Sequence, residues 1–261
     1  MSDRHVFEVQ AFGCSIRAAA AERACRDVLD KSIFPSFARS AARGEPDVLL
    51  RVEQSEERAT LLVDDKVAAT AADASALAAE VVRAVDEAVI GRLTGLRAVH
   101  AGAVAWAGRA LLLPGGTHAG KSSLVAELLR RGATYYSDEY ALIDGQGRLH
   151  AYPRPLLLRN GGPVQVAVAA QECNAPTGTA PTAVGWVVTL AYRPGCEWSV
   201  AAVPQSEGLL TLLRNTPHVL AESPEILGIF ERAVAGARCY RGQRPDTAVA
   251  AEEILRLVSA A

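Results

Sequence analysis

The sequence predicts a mixed α+β or α/β protein in two parts, an N-terminal segment of residues 1–95 and a larger domain of residues 96–261. The first part combines short apolar strands with two helices, which is typical of a small α+β layer. The second part contains Gly115–Ser122, of the form G-x-x-x-x-G-K-S, between a predicted strand and a predicted helix. Hairpins and further helices follow this segment, which favours a mixed sheet.

In the N-terminal segment, polar turns separate short apolar runs, and alanines and valines at helical spacing indicate one long helix. The predicted elements are a strand at 6–16, a helix at 22–29, strands at 48–53, 59–63 and 67–70, and a helix at 73–93. No group of residues here points to chemistry. We therefore expect a scaffold or a docking module.

In the C-terminal domain, apolar runs on both sides of glycine-containing turns indicate hairpins. The predicted strands cover 98–106, 109–113, 134–139, 140–143, 148–152, 184–190, 198–203 and 239–241, and the predicted helices cover 123–131, 206–213, 224–235 and 247–259. The strands at 184–190 and 198–203 are expected to pair as a hairpin. Residues 153–159 are predicted to be extended, and residues 160–183, rich in Gly, Pro, Ala and Thr, to form a long loop.

The segment Gly115–Ser122, called the glycine-rich loop below, has the composition of a phosphate-binding loop. Glycines let successive backbone N–H groups turn towards a phosphate, and the helix N-terminus adds partial positive charge. Lys121 supplies a point charge for nucleotide phosphates, and the Ser122 hydroxyl is a suitable Mg²⁺ ligand. The pattern predicts ATP and Mg²⁺ as ligands; the alternative is a chance glycine-rich turn. The predicted nucleotide-binding residues are Gly115, Gly116, Thr117, His118, Ala119, Gly120, Lys121, Ser122 and Ser123.

Two consecutive acids, Asp138 and Glu139, follow the next predicted strand. We expect this strand to lie beside the loop strand, so that a parallel pair would bring both acids to the edge where the loop begins. Consecutive side chains of an extended segment point in opposite directions, so one acid would face the phosphates and the other a metal or supporting residues. The alternative is a pair of solvated acids at a strand end.

The order of these motifs resembles that of HPr kinase/phosphorylase and the wider group with a phosphoenolpyruvate-carboxykinase-like P-loop kinase core. The resemblance covers residues 98–160 and includes His100-Ala101-Gly102, the glycine-rich loop and Ser137-Asp138-Glu139. Shorter relatives, thought to phosphorylate a serine of a lasso-peptide precursor, are more similar still. The chain lacks a recognisable C-terminal segment for the reverse phosphorolysis, so we predict neither phosphorylase activity nor HPr as substrate.

The resemblance implies a role for each matching residue. It implies that Lys121 and the loop backbone hold the nucleotide phosphates, that Ser122 binds Mg²⁺ and that Asp138 accepts the seryl proton. Glu139, which stands where the family has a second Asp, would be a metal ligand, although which acid is the base stays open. His100 aligns with a histidine near the transferred phosphoryl group; the alternative is an ordinary strand histidine. Ser123 replaces an acid of the true HPr kinases.

Two arginines after the acids, Arg154 and Arg159, lie in a segment similar to one in the short relatives. A guanidinium group binds phosphate or carboxylate well, so both are candidate substrate-binding residues. The alternative is that they are surface arginines on a strand.

Together these features predict an ATP-dependent kinase for a serine hydroxyl on a peptide or protein. The rivals are a small-molecule kinase with the same core and a non-catalytic, nucleotide-dependent regulatory module. The formal net charge is −2 and no basic run occurs, which argues against nucleic acid and anionic membrane as partners. Five scattered cysteines indicate reduced thiols and a cytoplasmic location. The resemblance also allows a homo-oligomer.

Overall fold

The structure, a computed structural model, describes residues 5–41, 44–116, 119–159, 162, 164–217 and 224–260. The chain divides into two compact units. Unit 1 comprises residues 1–94 and 154–169, and unit 2 comprises residues 95–153 and 170–261. The first boundary lies one residue from that expected from the sequence. Residues 154–169, expected in the C-terminal domain, are instead part of unit 1.

The described chain forms a mixed α+β structure. The strands are β1 (His5–Ala11), β2 (Cys14–Ala20), β3 (Val48–Gln54), β4 (Ala59–Val63), β5 (Lys66–Ala71), β6 (Leu96–Trp106), β7 (Arg109–Pro114), β8 (Thr134–Ser137), β9 (Tyr140–Asp144), β10 (Arg148–His150), β11 (Leu156–Arg159), β12 (Gln165–Val168), β13 (Thr182–Tyr192), β14 (Ser199–Val203) and β15 (Arg238–Arg244). The helices are α1 (Arg23–Ser32), α2 (Ala78–Ile90), α3 (Lys121–Arg130), α4 (Gln205–Arg214), α5 (Glu225–Val234) and α6 (Thr247–Ser259). None of these helices is long and apolar enough to cross a bilayer.

Unit 1 contains a five-stranded sheet in the order β1-β2-β3-β4-β5, in which only β2 and β3 are parallel. Helices α1 and α2 contact each other and the sheet. The single strand predicted at 6–16 is wrong, because Phe12 and Gly13 adopt positive φ angles and turn the chain into the β1–β2 hairpin. The helix predicted at 73–93 is shorter: a 3-10 turn at Ser75–Leu77 precedes α2.

A separate two-stranded sheet, β11 with β12, completes unit 1. Leu157 and Ala167 of this sheet pack against Ala79 and Val82 of α2, and this apolar contact explains why residues 154–169 belong to unit 1. The long loop predicted at 160–183 is therefore wrong in part, because it contains β12 and a 3-10 turn at Ala170–Cys173. Short β-branched runs among glycines and prolines gave too weak a pattern to indicate that strand.

Unit 2 is built on an eight-stranded mixed sheet in the order β10-β9-β6-β7-β13-β15-β14, with β8 also paired to β6. Strand β13 is parallel to β7 and β15, and the other pairs are antiparallel. The buried core joins Leu112 of β7 and Val187 of β13 to Leu212 of α4 and Phe230 of α5.

The strand pairings of unit 2 confirm some predictions and overturn one. The hairpins β6–β7 and β9–β10 form as predicted. The hairpin predicted between 184–190 and 198–203 is wrong, because β15 lies between β13 and β14 and pairs with both. Strand β15 begins 35 residues after β14 ends. It nevertheless occupies the position beside β13 that the local sequence pattern assigned to β14.

Candidate functional site

The glycine-rich loop and the two acids begin at the same edge of the unit 2 sheet. Ala101 of β6 is paired with Pro114 at the end of β7, and Ala103 of β6 with Ser137 at the end of β8. Strand β8 is therefore not adjacent to β7, contrary to the expectation from the sequence. Because β6 is antiparallel to both, β7 and β8 still run in the same direction and end on either side of the middle of β6.

The described part of the glycine-rich loop has one backbone position, Gly120, that favours glycine. Gly115 N donates to His100 O at 3.3 Å, which ties the start of the loop to β6. Gly120 has a φ of 74°, in the left-handed region, directly before α3 begins at Lys121. Glycine reaches this region without strain because it has no Cβ, whereas L-residues with a Cβ adopt it at a cost in free energy. The predicted contacts of Thr117 and His118 lie outside the described residues.

Lys121 is buried and joins a cluster with His100 and Glu139, called the lysine cluster below. Its Nζ lies 3.1 Å from His100 Nε2, 3.1 Å from the carbonyl oxygen of Gly116 and 3.7 Å from Glu139 Oε2. His100 Nε2 also hydrogen-bonds Glu139 Oε1. Three residues that the sequence singled out thus meet, although 39 positions separate His100 from Glu139.

The two consecutive acids have different surroundings. Asp138 is fully buried, and its Oδ1 accepts a hydrogen bond from the Tyr135 hydroxyl at 3.2 Å. The Glu139 side chain is 25% exposed and lies beside Lys121. Glu139 is therefore the acid that a ligand in front of Lys121 would meet first.

Ser122 and Ser123 are the second and third residues of α3, half-buried and exposed respectively. The partial positive charge of a helix N-terminus and the hydroxyl of Ser122 suit a phosphate with its metal ion. Hydroxyl and carboxylate oxygens are ligands that Mg²⁺ accepts, usually together with phosphate oxygens of the substrate. The donor set of Ser122 and Glu139 fits this chemistry. No cluster of three or more His, Cys, Asp or Glu side chains suited to a metal occurs among the described residues.

The two arginines predicted to bind substrate lie in unit 1, whereas the lysine cluster belongs to unit 2. Arg154 is buried, and its Nε lies 3.2 Å from Asp86 Oδ2. Its charge is thus paired inside unit 1, which gives this side chain a structural role there. Arg159 is exposed at the end of β11.

A further residue, Arg244 at the end of β15, contacts the glycine-rich loop and was missed by the sequence reasoning. Its Nη2 donates to the carbonyl oxygen of Ala119 at 2.9 Å and to that of Gly120 at 3.5 Å. The two ends of the shorter bond are 125 positions apart, so no local pattern could have indicated it. Only the order of the strands, with β13 between β7 and β15, brings Arg244 to this edge.

Comparison with protein families and with curated proteins gives this chain no assignment. The chain matches no family model and no curated protein. The function is therefore inferred from the residues at the sheet edge.

Proposed function

We propose that the chain is an ATP-dependent kinase that phosphorylates a hydroxyl group. The observation that carries the proposal is the lysine cluster at the mouth of the glycine-rich loop. A buried ammonium group at a helix N-terminus, next to a glycine in the left-handed conformation, is an arrangement suited to a polyphosphate. An acid that borders the same ammonium group supplies an oxygen ligand for the accompanying metal ion.

Each residue of the site has a proposed part. Lys121 offsets negative charge on the transferred phosphoryl group, and the amides of the loop bind the phosphates that stay with the nucleotide. Ser122 and Glu139 would hold Mg²⁺, and the bound ion would neutralise phosphate charge. Asp138 accepts the proton of the acceptor hydroxyl, which requires the acceptor to come within about 2.6–3.2 Å of its carboxylate. Because Asp138 is fully buried, productive acceptor binding must expose it.

The class of acceptor is proposed from the resemblance to the HPr-kinase-like group. Its shorter relatives are thought to act on a peptide serine, so we propose a serine of a peptide or protein, with a ribosomal lasso-peptide precursor as the first candidate. A cytoplasmic location, where such a precursor is made, belongs to the same proposal.

The proposal is tested by two substitutions with different expected results. Lys121→Ala should weaken ATP binding about 100-fold or more, because it removes the only side-chain charge that we place on the phosphates. Asp138→Asn should leave the Kd for ATP nearly unchanged and abolish transfer. Binding is measured by titration calorimetry, and transfer by γ-³²P labelling of serine-containing peptide pools beside pools with alanine in place of serine.

Lys66→Ala, at an exposed position of β5, is the matched control for the lysine substitution. It should behave like the wild type in both assays. Label in the alanine pools at the level of the serine pools would count against a serine acceptor. Equal transfer by the wild type and Asp138→Asn would exclude Asp138 as the base.

One observation favours a second candidate, a nucleotide-dependent regulatory module. Asp138 is fully buried and Lys121 already bonds three groups, so the site could bind a nucleotide without presenting a base to any acceptor. Such a module would bind ATP with the same dependence on Lys121. It would release no ADP above the uncatalysed rate with any hydroxyl-bearing pool, and this result separates the two candidates.

A further inference from the structure

The carbonyl side of the glycine-rich loop has a buried cation beside it, the guanidinium group of Arg244. Its Nη2 bonds the carbonyl oxygens of Ala119 and Gly120, and its Nη1 donates to the carbonyl oxygen of Pro245 at 3.3 Å. The residue is only 2% exposed. Arg244 therefore touches the loop through two consecutive peptide groups.

These contacts fix the direction in which loop amides point. In a trans peptide the C=O and the N–H of the same peptide group point in opposite directions. A donor on Ala119 O therefore turns the Gly120 N–H away from Arg244, and a donor on Gly120 O does the same for the Lys121 N–H. Gly120 O also accepts the first α3 hydrogen bond, from Leu124 N at 3.1 Å. The N–H groups of Gly120 and Lys121 consequently point to the side opposite to the guanidinium group.

The residues on both sides of the contact between Arg244 and the glycine-rich loop favour this contact. A Cβ atom on Gly120 would collide with Arg244 Nη2, so a larger residue there would displace the guanidinium group. Tyr192 is the β13 partner of Arg244 in the parallel pair, and its ring centroid lies 4.9 Å from the guanidinium carbon. This stacking holds the side chain in place.

The guanidinium group has no carboxylate within ion-pair distance among the described residues, although a buried charge is costly without one. Burial lowers the pKa of Arg244, while nearby Tyr192 and Asp246 act in the opposite direction. An anion bound on the far side of the loop would offset part of this cost.

We propose that Arg244 is a positioning residue for nucleotide binding, which holds the Ala119 and Gly120 carbonyls so that the Gly120 and Lys121 amides face a bound polyphosphate. The inference rests on the proposed nucleotide binding and extends the site to the C-terminal strand β15. Arg244 acts through the loop backbone and needs no contact with the ligand itself.

The test compares binding of ATP and of tripolyphosphate, which carries only the phosphate part, by the full chain. Arg244→Met should weaken both about 10-fold, because two oriented amides lose their support. Arg244→Lys should weaken them less, since it keeps the charge without the planar fork. Guanidinium ion at a non-denaturing concentration should restore binding to Arg244→Met. Arg241→Met, an exposed position on the same strand, is the matched control and should bind like the wild type.

A second measurement separates positioning from general stability. Amide hydrogen exchange at Gly120 and Lys121 in the nucleotide-free chain should be faster in Arg244→Lys than in the wild type, while the melting temperature stays within a few degrees. If Arg244 had a purely structural role, its replacement would lower the melting temperature and leave the Kd of the folded protein unchanged.

The outcomes are distinguishable from a failure of the proposed function. A wild type that binds neither ATP nor tripolyphosphate overturns the proposed function and this inference with it. A wild type that binds both, with equal Kd values for folded Arg244→Met, overturns the role of Arg244 alone. If Arg244→Met does not fold, Arg244→Lys decides, and unchanged affinity together with unchanged amide exchange rejects the inference.

Discussion

Replacing Glu139 by glutamine is expected to change ATP binding in opposite directions without and with Mg²⁺. Glu139 Oε2 lies 3.7 Å from Lys121 Nζ, and the carboxylate also hydrogen-bonds His100. Without a metal ion, a polyphosphate must share the ammonium group with this carboxylate, and the two anions repel each other. With Mg²⁺, the same carboxylate is the proposed metal ligand, so the loss of its charge should weaken binding.

The size of the effect follows from the separation and the burial. Two unit charges about 4 Å apart interact by about 4 kcal/mol at an effective dielectric constant of about 20. The Lys121 side chain is buried, but that of Glu139 is 25% exposed, so solvent screens part of this energy. Exposed ion pairs contribute only about 0.2–1 kcal/mol. An intermediate value of about 1.4 kcal/mol corresponds to a tenfold change in Kd.

We therefore expect Glu139→Gln to tighten metal-free ATP binding about tenfold and to weaken Mg²⁺-dependent binding by at least as much. Titration calorimetry in EDTA and in excess Mg²⁺ measures both. Glu127→Gln is the control, because its carboxylate pairs with Arg130 and Arg131 on the surface of α3 and the net charge changes equally. Metal-free affinity that stays the same or falls in Glu139→Gln, with the control unchanged, would refute the electrostatic reasoning.

Two further predictions concern the loop backbone and the acid stability of unit 2. Gly120→Ala should weaken ATP binding at least about tenfold, because the left-handed backbone and the collision with Arg244 both oppose a Cβ. Gly116→Ala should change ATP binding by no more than about threefold, because a Cβ there meets no atom of the described residues within 4 Å. Calorimetry compares the two variants. Burial alone would raise the pKa of Asp144, but hydrogen bonds from His150, two backbone amides and an arginine side chain lower it from 3.8 to about 2. Since a lowered folded-state pKa stabilises the protein above the unfolded value, this contribution, about 2 kcal/mol, should be lost between about pH 4 and pH 2, and Asp144→Asn should remove it at pH 7 in urea unfolding. An Asp144→Asn protein with unchanged stability at pH 7 would contradict the second prediction.

The sequence predicted the local features of the site because their signals are local. The strand before the glycine-rich loop, the helix after it and the hairpin that carries His100 all depend on apolar spacing and glycine within about a dozen residues. The same holds for α6, whose predicted bounds are the observed ones. The proximity of His100, Lys121 and Glu139 followed from the resemblance, which supplied their order.

The remaining features depend on long-range pairing, which periodicity does not encode. The packing of the whole sheet determines two strand positions. It places β6 between β7 and β8, and β15 between β13 and β14. Buried Asp138 accepts a hydrogen bond from Tyr135, and buried Arg154 pairs with Asp86. Neither contact has a sequence signal. Arg154 and Arg159 have a similar setting in the sequence, but Arg154 is buried and Arg159 is exposed.

The bond between Arg244 and Ala119 has a consequence for the timing of folding during synthesis. A ribosome adds β7, the glycine-rich loop and α3 long before it adds β15, and domains fold as their residues emerge. The nascent chain would carry the complete G-x-x-x-x-G-K-S motif while the support behind it is still untranslated. A growing chain stalled before residue 244 should therefore retain nucleotide poorly, and the competence to bind should arise only with the last strand.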